Sequence, residues 1–220
     1  MLNSPVFLAV AVIIGSFLIG SVSFAIIFTK LFSNKDVRDF GSGNAGMTNV
    51  MRVSGPLPGI LTFVFDFLKG FVAAYIGGIA FERIFEETEN IIFSPIYGKL
   101  ICALFCMIGH VLPIFFSFRG GKGVATGVGA FFAVCPVAAA SGLGIFAVLF
   151  IITRIISLSS LAGTAAVVLV FAFFYLDSTA PILPQIIIGM LIAFIIFAKH
   201  KENIFRLIHG EEKKLKVKKK

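Results

Sequence analysis

The chain has 220 residues, 58% hydrophobic and 14% charged, with a mean hydropathy of +1.03. Soluble domains average about 45–50% apolar and about 25% charged, so a soluble protein is excluded. The formal net charge of +8 does not point to nucleic acid, because residues 199–220 hold nine Lys/Arg against three acids and so supply +6 of it; a polybasic stretch beside an apolar span contacts anionic headgroups or sets topology.

In chain order, the apolar run 5–29 has no positive n-region and is too long for a cleavable leader, so it predicts one retained membrane helix. A polar segment, 30–56, carries Lys30, Lys35, Arg38 and Arg52. Run 57–80 predicts a second crossing, and 81–97 then sets Arg83 against Glu82, Glu86, Glu87 and Glu89. Run 99–116 predicts a third, leading to 117–123 with Arg119 and Lys122. The almost unbroken stretch 124–198 has candidate breaks at Pro136, at Gly142 and Gly144, at 154–160 and at 181–184, which suit four short passes, with two long ones as the alternative.

The predicted fold is therefore an all-α, polytopic membrane helical bundle of seven transmembrane helices, with five as the alternative. The positive-inside rule places 30–56, 117–123 and the C-terminus in the cytoplasm, and the N-terminus outside. One membrane domain is expected over 1–212, followed by a basic tail over 213–220. Cys102, Cys106 and Cys135 lie in apolar runs without a CxxC pair and read as packing residues; Arg154 reads as the end of a helix.

Three polar segments share the cytoplasmic face. The first, 41–52, contains Gly41, Gly43 and Gly46 in GxGxxG spacing, but no strand or βαβ unit surrounds it, so dinucleotide binding fails on context. What remains is a flexible backbone with donors from Ser42, Asn44, Thr48 and Asn49 and a guanidinium from Arg52, which suits phosphate. In the second, Gly120, Gly121 and Gly123 flank Lys122, but the GK[ST] ending of a nucleotide-hydrolysing loop is missing. The third begins where the last apolar run stops and sets His200, Asn203 and Arg206 at i, i+3 spacing, with Glu212 beyond. Asp66 and Lys69, at i, i+3 inside the second run, are expected to pair and support a pocket; His110, at the end of the third run, is a further supporting candidate.

Together the sequences GSGNAGMTNVMR at 41–52, DFLKG at 66–70, HVLPIFFSFRGGKGVAT at 110–126 and HKENIFRLIHGEE at 200–212 closely resemble the PlsY family of bacterial membrane acyltransferases, over nearly the whole chain. The resemblance implies transfer of a fatty acyl group from acyl phosphate to the sn-1 hydroxyl of glycerol 3-phosphate, giving lysophosphatidic acid at the cytoplasmic face of the bacterial cell membrane. It implies that Ser42, Arg52, Lys122, His200 and Asn203 act at the reacting groups and that Gly41, Gly43, Asn44, Thr48, Asn49, Gly120, Gly121, Gly123 and Arg206 hold phosphate. Asp66, Lys69, His110 and Glu212 support them.

The chemistry agrees, because two phosphate groups brought together need cations and oriented N–H donors. Either His200 or a substrate phosphate oxygen accepts the hydroxyl proton, the second being favoured. The HxxxxD signature of another acyltransferase class is absent. The two substrates and the surrounding membrane lipids are the expected partners, protein partners are left open, and no nucleic acid, cofactor or metal is expected. The competing class is a transporter or flippase for a phosphorylated metabolite, for which inverted-repeat symmetry would be the signal.

Overall fold

The computed structural model describes residues 5–174 and 181–214. All regular structure among them is helical: α1 (Pro5–Ser21), α2 (Phe24–Ser33), α3 (Met47–Ser54), α4 (Pro56–Thr88), α5 (Pro95–Val111), α6 (Val124–Val134), α7 (Pro136–Thr153), α8 (Ile156–Phe174), α9 (Ile182–Lys199) and α10 (Lys201–Ile208), with short 3-10 turns at Val37–Asp39, Ile91–Phe93 and Ile114–Phe116. Among the described residues, six stretches are long and apolar enough to cross a membrane: Pro5–Ser33, Pro56–Thr88, Pro95–Phe116, Pro136–Thr153, Ile156–Phe174 and Ile182–Lys199. The remaining apolar helix, α6, has 11 residues, against the roughly 20 of a full crossing. Most of the basic tail, 215–220, lies outside the described residues.

Several boundaries differ from the sequence expectation for physical reasons. The first apolar run is not one helix but α1 and α2, broken at Val22 and Ser23. The second crossing extends to Thr88, so the acidic residues Glu82, Glu86 and Glu87 are helical instead of forming a loop. No break occurs at Gly142 or Gly144, because α7 runs unbroken from Pro136, which opens it in the first turn where a missing N–H costs nothing. Arg154 does end that helix, in the left-handed conformation at φ 59°.

Where one domain over 1–212 is expected, the described helices pack as two compact units, Met1–Val134 and Cys135–Lys220. In the first unit α4 is the central helix, against which α1, α2, α3, α5 and α6 all pack. Lipid offers apolar surface as favourable as a neighbouring helix, so such packing depends on close backbone approach. Gly20 sits on the backbone of Cys106, and Gly109 on the carbonyl of Phe17, joining α1 to α5. Gly70 and Gly129 lie under the carbonyls of Thr126 and Phe67 and close α4 against α6. In this unit Phe81, Ile84, Leu100 and Met107 are buried, as are Cys102 and Cys106; Cys135, at the start of the second unit, is buried too. In the second unit α7 packs on α8 through Gly142 and Gly163, α9 packs on α8, and Phe171 and Ile192 are buried.

A side chain at Gly129 would collide with the α4 backbone, whereas Gly144 has open space. We expect Gly129→Leu to lose at least about 1–3 kcal/mol through overpacking, read as a lower thermal midpoint in detergent, and Gly144→Leu to leave that midpoint unchanged.

Candidate functional site

The first polar segment is held from within. Asp36 caps the 3-10 turn by accepting the backbone N–H of Arg38 at 2.9 Å. The Arg38 guanidinium returns on the same carboxylate, Nε at 3.0 and 3.2 Å and Nη2 at 2.7 Å, while its Nη1 donates to the Phe116 carbonyl at 2.8 Å. Those hydrogen bonds hold the Asp36 carboxyl below its ordinary range against the opposing effect of burial.

Asn49 is buried on α3, where its Oδ1 accepts the Ser42 N–H at 2.9 Å and its Nδ2 donates to the carbonyls of Val37 and Phe40 at 2.9 Å each. Expected as a phosphate donor, Asn49 instead commits both amide hydrogens to the loop and braces it. Gly41 and Gly43 turn the chain over this brace at φ 65° and 67°, a region that disfavours side chains. Ser42 is left exposed at the tip, with Asn44 and Thr48 half-buried. Arg52 lies one turn beyond Thr48 on α3, exposed and without an ion pair among the described residues.

The second segment leaves the turn at Ile114–Phe116 through Ser117 and Phe118, both at positive φ, and reaches Gly120–Gly123 directly before α6. Gly121 donates its N–H to the His110 carbonyl at 3.2 Å. It packs so closely between the His110 ring and the Ala45 carbonyl that no Cβ fits, and Gly120 is likewise seated on the His110 carbonyl. The two glycine loops, distant in the chain, therefore meet at Ala45 and Gly121. Lys122 is half-buried at that junction, followed by the first turn of α6, whose N-terminal N–H groups favour an anion.

Beneath the junction lies a buried polar chain. Lys69 Nζ is 2.9 Å from Asp66 Oδ1 and donates to the carbonyls of Gly20 at 3.0 Å and Val22 at 2.8 Å, while His110 Nδ1 is 3.6 Å from the same Asp66 oxygen. The Lys69 ammonium also faces the Phe24 ring at 5.7 Å. Asp66 and Lys69 thus pair as their spacing suggests, and His110 joins them and carries the second loop. Arg38, which staples the 34–40 segment to Phe116, was missed in the sequence, where it reads only as a topology charge.

In the second unit, His200 closes α9 and opens α10, with Nδ1 at 2.8 Å from the Ile196 carbonyl. A carbonyl only accepts, so this bond requires the proton on Nδ1 and leaves the lone pair of a neutral ring on Nε2. Asn203 Nδ2 and Arg206 Nε both donate to the Glu212 carboxylate, at 2.6 and 2.7 Å, as does Ser157 Oγ at 2.7 Å. Asn203 and Arg206, expected to face substrate, are thus organised on Glu212. Ser157 was missed because a serine in an apolar helix carries no signal until its partner is known.

The family model described as glycerol-3-phosphate acyltransferase matches residues 10–210. Glycerol-3-phosphate acyltransferase of Finegoldia magna is 38% identical over 90% of this chain and 92% of its own, and glycerol-3-phosphate acyltransferase 2 of Bacillus anthracis is 36% identical over 91% and 95%. The crystal structure of PlsY (YgiH), an integral membrane glycerol 3-phosphate acyltransferase, in its glycerol 3-phosphate form, is 33% identical, covers 94% of this chain and 96% of its own, and superposes with a TM-score of 0.78. Its lysophosphatidic acid form gives 0.76 at 32% identity.

Two outcomes follow from the charges. Asp66→Asn strands the Lys69 ammonium and is expected to cost about 3–5 kcal/mol, whereas Asp66→Asn/Lys69→Met removes both charges and recovers part of the loss; thermal unfolding in detergent compares them. Burial raises the Glu212 carboxyl, but the hydrogen bonds from Arg206, Asn203 and Ser157 outweigh it and hold the group below the ordinary glutamate range. A carboxyl lowered by folding stabilises above its unfolded pKa and loses that contribution as pH falls through its folded value. Acidification should therefore lower the thermal midpoint of the wild type more than that of Glu212→Gln.

Proposed function

The chain belongs to the PlsY family of glycerol-3-phosphate acyltransferases, and on that premise we propose that it takes its acyl group from acyl phosphate and uses the two joined glycine loops to hold the phosphates. It is a multi-pass membrane acyltransferase that esterifies glycerol 3-phosphate to lysophosphatidic acid. The observation that carries the proposed donor site is the contact of Gly121 with Ala45, which sets Lys122 beside a loop tipped by Ser42 and followed by Arg52.

The sn-1 hydroxyl attacks the acyl carbonyl, the carbonyl oxygen gains charge, and the bond to the phosphate oxygen breaks as phosphate leaves with its electron pair. Lys122, the first turn of α6 and the N–H groups of the glycine loops stabilise charge that grows in this step, which lowers the barrier more than it tightens substrate binding. Arg52 and Thr48, one turn apart on α3, hold glycerol 3-phosphate, with Ser42 and Asn44 as neutral donors. The hydroxyl proton goes to a substrate phosphate oxygen. Within the second unit, His200, with its lone pair on Nε2, and Asn203, which Glu212 positions, are the groups suited to orient a substrate hydroxyl or phosphate. Arg206 assists through the same carboxylate.

The charge of 30–56 and 117–123 supports a cytoplasmic site in the bacterial cell membrane, with the N-terminus outside and α6 completing seven passes as a short helix. Reporter fusions should place Lys122 and Lys199 on the same side and the N-terminus opposite.

Purified protein with radiolabelled glycerol 3-phosphate should form lysophosphatidic acid rapidly from palmitoyl phosphate and little from palmitoyl-CoA, which has no phosphate at the reacting atom. A faster rate with palmitoyl-CoA would refute the donor. Arg52→Ala and Lys122→Ala should each lower turnover about 10²–10³-fold while still inserting in the membrane. Near-normal activity in either variant removes that residue from the site.

A further inference from the structure

Where α2 ends, at Asn34 in the left-handed conformation, the first unit has an open groove of about 710 Å³, within the range of about 300–1,000 Å³ of small-molecule sites. Ile27, Leu31 and Phe116 give it an apolar floor, and Lys30, Lys35 and Arg38 give it cations. Its one carboxylate, Asp36, is already taken by Arg38 through three close contacts. Lys30 and Lys35 are exposed, and neither has an ion pair among the described residues. With Lys35 Nζ lying 5.1 Å from the Phe40 ring, the groove presents a net positive charge from Lys30 and Lys35 over an apolar surface.

Neither half of that lining serves the same ligand alone. Free phosphate would use the lysines but leave Ile27, Leu31 and Phe116 unused, and a zwitterionic lipid would use the floor but not the net charge. An anion carrying one apolar chain uses both. The position agrees, because α2 is the terminal part of a stretch apolar enough to cross a membrane, so Lys30 and Lys35 stand at headgroup depth while Leu31, 73% exposed, faces the chain region.

We propose that this groove is a docking site for single-chain, phosphate-headed lipids, the chemical class that includes both acyl phosphate and lysophosphatidic acid, separate from the loops that carry out the transfer. This assignment rests on the acyl phosphate reading. Its walls lead directly into those loops: Arg38 precedes Gly41–Gly43, Phe116 precedes Gly120–Gly123, and the Arg38–Phe116 hydrogen bond closes the groove between them. A lipid held there is concentrated beside the reacting groups without occupying them.

The test uses the full chain in phosphatidylcholine nanodiscs. Removing two lysines at headgroup depth should raise KM for palmitoyl phosphate about tenfold or more in Lys30→Ala/Lys35→Ala, with kcat and KM for water-soluble glycerol 3-phosphate unchanged. Lys213→Ala/Lys214→Ala, which removes equal charge elsewhere, should change neither constant. In a second arm, spin-labelled lysophosphatidic acid should be immobilised by wild-type protein, less so by the Lys30/Lys35 variant, and displaced by unlabelled lysophosphatidic acid but not by inorganic phosphate or lysophosphatidylcholine. An unchanged KM for palmitoyl phosphate, an equal rise for both substrates, or an equal effect of the Lys213/Lys214 variant would overturn the proposal. So would displacement by inorganic phosphate, which marks an anion site only, or by lysophosphatidylcholine, which marks an apolar crevice only. If wild-type protein forms no product from palmitoyl phosphate, the donor reading fails, and the binding arm still decides the groove.

Discussion

The ammonium of Lys69 is the point from which the first unit is organised. A charged group within an apolar span is tolerated only when paired and hydrogen-bonded, and Lys69 meets that demand with Asp66 and with the carbonyls of Gly20 and Val22. Those carbonyls lack helical partners because the chain breaks between α1 and α2, and unsatisfied backbone in a membrane is costly. The break and the buried charge therefore stabilise each other. Through Asp66 the same charge reaches His110, on which Gly120 and Gly121 are seated, so the loop carrying Lys122 rests on a rigid polar chain within packed helices.

The glycines act at two levels. Within the spans they let backbones touch, as at Gly20 on Cys106 and Gly129 on Phe67, which is how helices associate where no hydrophobic gain separates helix from lipid. At the loops they let the chain turn and approach, with Gly41 and Gly43 arching over Asn49 and Gly121 wedged between His110 and Ala45. Backbone N–H groups come close to an anion only where side chains are absent. A glycine-rich membrane acyltransferase thus uses one residue type both to build its bundle and to join its loops.

In the second unit a carboxylate does the organising. Glu212 gathers Ser157, Asn203 and Arg206, fixing α10 against α8 by charge-assisted hydrogen bonds where the helix itself has only eight residues. So short a helix is not stable on its own. The segment that bears His200 and Asn203 owes its geometry to a residue beyond its own end.

Hydropathy alone determined the membrane class, the approximate place of each apolar run and the gathering of cations in three polar segments, because burial in lipid leaves a signal of about 20 residues that no local detail can hide. The i, i+3 pairing of Asp66 and Lys69 was legible for the same reason, since two opposite charges inside a span have few other partners. The sequence could not tell that Asn49 braces a loop, that Arg38 reaches Phe116, or that the first run breaks at Val22. Each depends on a partner distant in the chain: Asn49 on carbonyls 9 and 12 residues away, Arg38 on one 78 away, and the freed carbonyls of Gly20 and Val22 on an ammonium 49 and 47 away. A donor looks alike in sequence whether it faces water, substrate or backbone; only the tertiary structure, by occupying its hydrogens, decides which.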